Sequence, residues 1–139
     1  FPEVRFEPKP IQQPVPVWVG GNSKAAFQRT ARFGEGFHAA FEPLSKVEEE
    51  WNQIKVECEN LGRDPGEITL SLRMFLDPNE MMETAKSIGG SANQMVDTIG
   101  RVQDIGVSHI LVDPVARGGI EGRLDTLSSF MNDVAPQIG

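Results

Sequence analysis

The sequence predicts an α/β fold in which four successive strand–helix units form a parallel sheet. Short apolar segments of strand type alternate with longer segments whose apolar residues recur every three or four positions. A strand followed by a helix, repeated four times, favours parallel pairing with right-handed crossovers. The chain has 139 residues, of which 39% are hydrophobic and 24% are charged, and this balance suits a single globular domain over residues 1–139.

The first unit follows a proline-rich segment. Residues 1–15 are predicted to be an irregular lead-in, because proline removes backbone donors and favours extended chain. A strand is expected over 16–19 and a helix over 23–33, with Asn22 or Ser23 as its N-cap. The residues expected on the inward face of this helix are Ala26, Phe27, Thr30 and Ala31.

The second unit is predicted as a strand over 36–41 and a long helix. Ser45 and Glu48 have the spacing of a capping box at the start of this helix, and Gly62 is expected to end it. The acidic run over 48–50 is expected on the solvent side. An apolar stripe is expected to face the core, formed by Val47, Trp51, Ile54, Cys58 and Leu61.

The third strand is predicted over 68–76 because its side chains alternate strictly in character. The aliphatic set is Ile68, Leu70, Leu72, Met74 and Leu76. The opposite set is Thr69, Ser71, Arg73 and Phe75. A short helix or helical turn is predicted within 77–88, before a pair of glycines.

The last two predicted helices flank one more strand. Ser91 and Gln94 form a capping box, and the helix that they begin is expected to end at Gly106. Its inward residues are predicted to be Met95, Val96, Ile99 and Val102. The apolar run over 108–113 is typical of a buried parallel strand. A final helix is expected over 121–134, with Leu124, Leu127, Phe130 and Val134 inward.

Charge and cysteine content disfavour several classes of function. A formal net charge of −7 opposes binding to nucleic acids and anionic membranes, because phosphates repel an acidic surface. One cysteine and two histidines leave no internal disulfide and no metal site with suitable ligand spacing. No apolar run approaches the roughly 20 residues of a membrane span. We therefore expect a cytoplasmic protein, and a first residue other than Met suggests a fragment or a processed product.

The segment WVGGNS, residues 18–23, places two glycines where a strand passes into a helix. Glycine lets the backbone approach a ligand and adopt positive φ, and the N–H groups at a helix N-terminus attract anions. Gly20, Gly21, Asn22 and Ser23 therefore suit a phosphate cradle. The same residues also suit a tight, well-capped turn without a ligand, since short glycine signals are weak.

Several motifs resemble one family, in order along the chain. The stretch PKPIQQPVPVWVGGNSKAAFQRTARFGEGF resembles the fifth strand, glycine turn and sixth-strand entry of the bacterial luciferase-like monooxygenase superfamily. LGRDPGEITLSLRMFLD resembles the next loop and the seventh strand. SANQMVDTIGRVQDIGVSHILVDPV resembles the penultimate helix and the eighth strand, and LSSFMNDVAPQI resembles the closing helix.

The resemblance implies the second half of a (β/α)₈ TIM barrel, a fold that needs about 250 residues when complete. It also implies an oxidoreductase that inserts oxygen with FMN or transfers hydride with a deazaflavin, coenzyme F420, acting on a small organic substrate. Gly20, Gly21, Asn22 and Ser23 would contact the cofactor phosphate. The family's usual catalytic groups lie in the N-terminal half, so the resemblance assigns no catalytic residue here.

Three residues are candidates for the substrate pocket. His38 lies near the end of a strand that faces the active site in a barrel, yet it also suits a structural or solvated histidine. Arg73 lies on the less apolar side of its strand, where it either binds an anion or pairs with a carboxylate. Asp113 ends a strand, which suits a barrel active site and equally an ordinary turn. His109, at the start of that strand, is expected to be structural.

Four βα units alone leave two sheet edges and an apolar inner face uncovered. The missing half is expected in another chain or as a cleaved piece, or two copies complete a barrel, or the strands form an open sheet. The leading functional hypothesis is therefore part of a flavin or deazaflavin oxidoreductase. The alternative is a non-catalytic half-barrel that oligomerises or binds ligands.

Overall fold

A computed structural model describes residues 7–138 and shows the predicted alternation of strands and helices. The strands are β1 (Trp18–Gly20), β2 (Gly36–Ala40), β3 (Thr69–Asp77), β4 (Ser87–Gly89) and β5 (His109–Pro114). The helices are α1 (Lys24–Phe33), α2 (Leu44–Leu61), α3 (Ala92–Asp104) and α4 (Gly119–Asp133). Of the predicted lead-in, residues 7–15 contain no helix or strand, and residues 1–6 lie outside the described part.

All pairings in the sheet are parallel, and β1, β2, β3 and β5 lie side by side in that order. The small strand β4 pairs with Phe75–Asp77, whereas β5 pairs with Ser71–Leu76. Because a strand has only two edges, β4 lies on the edge opposite β5, beyond the end of β2. The sequence did not predict β4, since three residues are too few to show an alternating pattern. The predicted short helix within 77–88 is a 3₁₀ turn over Thr84–Lys86.

Alternation along the strands separates the sheet into two faces. The aliphatic residues of β3 pack with the helices in one core, as predicted, and Leu70, Leu72, Met74 and Leu76 are each at most 1% exposed. Full burial of such a side chain stabilises the folded state by about 1.5–3 kcal/mol. The other set of β3 residues lies on the opposite face, here called the open face, where Trp18 and Leu111 remain 45% and 39% exposed.

The ends of the helices show which local sequence signals predicted a cap correctly. Ser23 caps α1 by accepting a hydrogen bond from the Ala26 N–H at 3.3 Å, and Ser91 with Gln94 forms the predicted capping box of α3. The predicted box of α2 was wrong. The N-cap position is occupied by Pro43, two residues before the predicted Ser45, and the helix begins at Leu44, so Ser45 already lies inside the first turn. Gly62 ends α2 with φ +67°, as predicted.

Three burial predictions at the edges of the fold were wrong. Leu61 and Leu124 are 55% and 57% exposed, because each lies at a position of its helix that the sheet does not cover. The strand predicted as buried, β5, has no fully buried residue. Within the described residues, β5 pairs with β3 along one edge only, and its other edge has no partner strand. The apolar run therefore belongs to a strand at the edge of the sheet.

No helix among residues 7–138 has both the length and the apolar character needed to cross a membrane.

Candidate functional site

The turn between β1 and α1 has the geometry that the glycine pair predicted. Gly21 adopts φ +111°, a conformation that favours glycine, and Ser23 forms the helix N-cap in extended conformation. Helix geometry leaves the N–H groups of Lys24 and Ala25 without partners inside α1. The Ser23 oxygen accepts the Ala26 N–H, so its own hydroxyl hydrogen can still be donated. The turn therefore offers several hydrogen-bond donors at the N-terminus of α1.

A cavity of about 230 Å³ lies beside this turn, at the carboxyl ends of β1 and β2. Gly21 and Asn22 form one side of it, and the end of β2 forms another. Gly20 and His38 are partners in the β1–β2 register, so the cradle and one predicted pocket residue adjoin each other. This position, outside the carboxyl ends of parallel strands, is where ligands bind in such sheets.

Two carboxyl groups also line the cavity, from Glu42 in the loop after β2 and from Glu50 on α2. Glu50 is only 2% exposed, and its Oε1 atom has no hydrogen-bond partner among residues 7–138. Burial raises the pKa of Glu50, and the Glu42 carboxylate raises it further. The prediction that the whole acidic run of α2 faces solvent was therefore wrong for Glu50.

A signal for Glu50 was present in the sequence. The residue lies three positions after Val47 and four before Ile54, which places it on the same helix face as the buried stripe. A charged residue on a buried helix face is rare unless it is partnered or functional. The charge of Glu50 suggested the solvent side of α2, whereas its position in the helical period indicated the interior.

The open face carries a hydrogen-bonded row across three strands. Ser71 on β3 lies between His38 on β2 and His109 on β5, with 2.8 Å from its Oγ to each Nδ1 atom. Register explains the row, since Ser71 is the Cα partner of both histidines. The serine hydroxyl has one hydrogen, so one imidazole accepts it at Nδ1 and the other donates its own Nδ1–H. The neutral histidines consequently adopt different tautomers.

The electrostatics of the row are set by burial and neighbouring charge. Burial lowers the pKa of His38 below 6.5, and the positive charges of His109 and Arg73 lower it further. The His109 ring also contacts Trp18 edge-on, with 5.4 Å between ring centroids. His109 was expected to be structural, and Ser71 was not among the candidate site residues. These two residues lie next to His38 only because of how the three strands pair.

Arg73 and Asp113 form an ion pair nearer the carboxyl ends of β3 and β5. The Asp113 Oδ2 atom lies 2.6 Å from Nη2 and 2.8 Å from Nε of Arg73. Of the two roles considered for Arg73, pairing with a carboxylate is the one observed. The guanidinium also lies over the Phe41 ring at 5.0 Å, and Phe41 stacks on Phe75 with 4.2 Å between centroids. Both remaining pocket candidates thus belong to one cluster.

Within residues 7–138, no group of three His, Cys, Asp or Glu side chains is arranged to hold a metal ion.

Comparison with known proteins identifies the family. The model of the family described as luciferase-like monooxygenase matches residues 1–95. No curated protein matches the sequence. Among solved structures, an F420-dependent secondary alcohol dehydrogenase in complex with an F420–acetone adduct superposes with a TM-score of 0.73 at 13% identity, covering 94% of this chain and 51% of that one.

Two further structures are similar. The coenzyme F420-dependent tetrahydromethanopterin reductase from Methanopyrus kandleri has a TM-score of 0.73 at 14% identity, with 90% of this chain and 51% of that one covered. The EDTA monooxygenase from Chelativorans sp. BNC1 has a TM-score of 0.67 at 15% identity, with 94% and 46% covered.

The chain therefore spans about half the length of the structures that it matches. Together with the parallel βα sheet, this coverage confirms the predicted half-barrel fold. Because the family model covers more than half of the chain, the family assignment rests on sequence as well as on fold. This chain belongs to the luciferase-like monooxygenase family.

Proposed function

We propose that this chain is the C-terminal half of an oxidoreductase that uses FMN or coenzyme F420. Its share of the work is to hold the cofactor phosphate at Gly20, Gly21, Asn22 and Ser23 and to form one wall of the substrate pocket. Family membership supports the proposal, as do similar structures whose names include F420-dependent enzymes and a monooxygenase. When bound, the flavin or deazaflavin ring supplies the electron or hydride chemistry.

The observation that carries the proposal is the turn at Gly21. Its positive φ and missing side chain turn the chain so that the N-terminus of α1 begins beside the cavity. Backbone N–H groups and the positive end of the helix dipole suit a phosphate. The same residues would orient the cofactor from its phosphate end, and the strand ends would then face the ring side.

The open face supplies the wall of the proposed pocket. The His38–Ser71–His109 row can hold and move a proton through Nδ1 and Oγ atoms that are already within hydrogen-bonding distance. Arg73 presents a charge that Asp113 already balances, so the wall favours a neutral polar organic substrate over a strongly anionic one. The stacked rings of Phe41 and Phe75 add a flat apolar surface beside the ion pair.

A second candidate function rests on the exposed apolar residues of the open face. Trp18 and Leu111 are 45% and 39% exposed. Within residues 7–138, β1 and β5 each pair along one edge only. These features favour association with an N-terminal half-barrel or with a second copy, and a non-catalytic half-barrel that oligomerises would use the same surface. Native mass spectrometry of the intact gene product, with and without FMN or F420, distinguishes these partners.

The test of the cradle is the substitution Gly21→Asp. A carboxylate about 5 Å from the phosphate costs about 3 kcal/mol at an effective dielectric constant of about 20, which corresponds to a loss of at least about 100-fold in affinity. Binding of FMN and F420 to the intact gene product is measured by isothermal titration calorimetry, with riboflavin as the ligand that lacks a phosphate.

Gly62→Asp is the matched control for this substitution. Gly62 also has positive φ, at +67°, and among residues 7–138 no atom lies within 4 Å of the position where its Cβ would be. The control adds the same charge at another turn, so it should leave cofactor affinity within about twofold. Equal affinity of the wild-type and Gly21→Asp proteins for FMN and F420 would refute the cradle.

A further inference from the structure

The ion pair between Arg73 and Asp113 leaves part of its hydrogen-bonding capacity unused. Both contacts of Arg73, from Nη2 at 2.6 Å and from Nε at 2.8 Å, reach the same carboxylate oxygen, Oδ2 of Asp113. Within residues 7–138, the Nη1 group of Arg73 and the Oδ1 atom of Asp113 have no hydrogen-bond partner. The two side chains are 40% and 34% exposed, so a ligand can reach them. The pair therefore combines a free donor with a free acceptor.

The position of the pair is one where sheets of this kind bind ligands. Arg73 pairs in register with Leu111, and Asp113 pairs with Phe75 two residues further along β3. The ion pair thus joins neighbouring strands toward their carboxyl ends, where ligands bind in parallel α/β sheets and barrels. It lies on the open face, so the apolar core does not cover it.

The backbone of Phe41 directs an aromatic ring toward this pair. Phe41 has φ +55°, a conformation that bulky side chains rarely adopt. Regular alternation along β2 would place its ring with Phe37 and Ala39 in the core. Instead, the ring stacks on Phe75 at 4.2 Å, and the Arg73 guanidinium lies over it at 5.0 Å. Strained backbone of this kind concentrates at ligand sites, and here it places a flat apolar surface beside the ion pair.

The ion pair discriminates between the polar groups of a ligand. A carboxylate has no hydrogen to donate to Asp113 and is repelled by it, whereas an ammonium group is repelled by Arg73. A ketone satisfies the donor only. A carbonyl oxygen next to an N–H satisfies both partners. Carboxamides and cyclic imides carry that arrangement in a planar group, which also suits the flat surface of the stacked rings.

We propose that Arg73 and Asp113 form a recognition site for a planar carboxamide or cyclic imide. The Arg73 guanidinium donates to the carbonyl oxygen of the ligand, Asp113 Oδ1 accepts the adjacent N–H, and the stacked rings of Phe41 and Phe75 flank the ligand. This inference rests on the proposed function, because it names the chemical group that the wall of the pocket receives. Two molecules can supply that group: the organic substrate, or the flavin or deazaflavin ring, which itself contains a cyclic imide.

The experiment measures the affinity of three probes of equal shape for the intact gene product, by ligand-observed NMR titration. Benzamide carries a carbonyl oxygen and an N–H, acetophenone replaces the NH2 group by methyl, and benzoate replaces it by a charged oxygen. Benzamide should bind at least about tenfold more tightly than either analogue, because only benzamide makes both hydrogen bonds to charged partners.

Two substitutions at the pair should change this preference in different ways. In Asp113→Asn the Arg73 charge is unbalanced and the new NH2 group can donate, so benzoate should bind at least about tenfold more tightly than to wild type. Arg73→Lys keeps the charge but loses the planar fork, and benzamide affinity should fall about tenfold. A merely structural role would not produce the shift toward benzoate.

Glu83→Gln is the matched control for Asp113→Asn. It also removes a carboxylate from an ion pair, since Glu83 lies 2.7 Å from the Lys86 Nζ atom, but that pair is remote from the open face in the loop before β4. This control should leave the three affinities within about twofold. Thermal unfolding of each variant confirms that it folds.

Bound FMN distinguishes the two sources of the ligand group. If the substrate supplies it, FMN should leave benzamide affinity within about twofold, and Asp113→Asn should leave FMN affinity unchanged. If the cofactor ring supplies it, FMN should displace benzamide. Asp113→Asn should then weaken FMN and riboflavin alike by about tenfold, because the two molecules share one ring.

The failures of this site and of the cradle are distinguishable. Equal or undetectable affinity of wild type for all three probes, together with unchanged FMN and riboflavin affinity in Asp113→Asn, would overturn the recognition site. A benzamide preference that persists unchanged in Asp113→Asn would also overturn it. Either result leaves the cradle intact if Gly21→Asp still weakens FMN binding. Benzamide selectivity with unchanged FMN affinity in Gly21→Asp would overturn the cradle alone.

Discussion

Replacing Ser71 by alanine tests whether the histidine row is one hydrogen-bonded unit. The side chain is completely buried, and its hydroxyl oxygen contacts both imidazoles at 2.8 Å. Alanine removes only the oxygen, so no large cavity forms and backbone pairing is unaffected. The loss is therefore confined to two hydrogen bonds and the tautomer order that they impose.

The magnitude follows from the number of bonds lost. A neutral hydrogen bond contributes about 1 kcal/mol net, so Ser71→Ala should lower the free energy of unfolding by about 2 kcal/mol. For a chain of this size, that change lowers Tm by about 7 °C. Ser87→Ala is the matched control, because Ser87 is also buried and its hydroxyl donates one hydrogen bond, to the Glu83 carbonyl at 2.9 Å. Its expected cost is about half as large.

Two assays distinguish disruption of the histidine row from the general cost of removing a buried hydroxyl group. Urea denaturation gives the stability change, and ¹⁵N NMR of the imidazole nitrogens at pH 8 gives the tautomer of each histidine. Wild type should show different tautomers at His38 and His109, and Ser71→Ala should abolish that difference while Ser87→Ala preserves it. Identical tautomers in the wild type, or a Ser71→Ala cost no larger than about 0.5 kcal/mol, would refute the reasoning.

The pH dependence of stability has a definite sign at His38. Its pKa is lower in the folded protein than its ordinary 6.5, so between these values the unfolded chain binds more protons. The contribution of His38 to stability is therefore fully present above about pH 6.5 and is lost as the pH falls through the folded pKa. Urea denaturation from pH 5 to 8 should show this loss in wild type and in Ser71→Ala but a smaller one in His38→Gln.

Two further predictions concern the helix layer. Arg63 donates hydrogen bonds to the carbonyls of Thr30, Ala31 and Gly34 at 3.3, 3.0 and 2.7 Å, so Arg63→Ala should destabilise the protein by about 2–3 kcal/mol in urea denaturation; a change below about 0.5 kcal/mol would contradict this account. Cys58 is fully buried and burial raises the pKa of its thiol, so Ellman's reagent at pH 8 should label it only after unfolding; rapid stoichiometric labelling of the native protein would contradict the assignment.

Local signals predicted most of the elements, and they failed where pairing between distant segments decided the outcome. The face of α1, the capping box of α3 and the end of α2 at Gly62 all depend on residues within one or two helical turns. The strand β4 has only three residues and forms by pairing with the end of β3, where each partner lies 12 residues earlier in the chain, so no local periodicity indicates it.

The candidate site shows the same division. The Gly21 turn was predicted from sequence, because positive φ and N-capping are properties of neighbouring residues. Glu50 was wrongly predicted to face solvent, because the prediction followed the charge of the residue and not its position in the helical period. Ser71 and His109 were not joined to His38, since their hydrogen bonds depend on the register of three strands that are 30 to 40 residues apart.

The sequence by itself determined the order of βα units, the family and the glycine turn, because each is written in contiguous residues. The tertiary structure alone decided which polar side chains meet: the pairing of β3 with β2 and β5 creates the histidine row and the Arg73–Asp113 pair. It also decided that Glu50 lies beside the cradle, because the packing of α2 over the sheet turns that carboxyl group away from water. Register and packing join residues across the chain, and no local pattern specifies them.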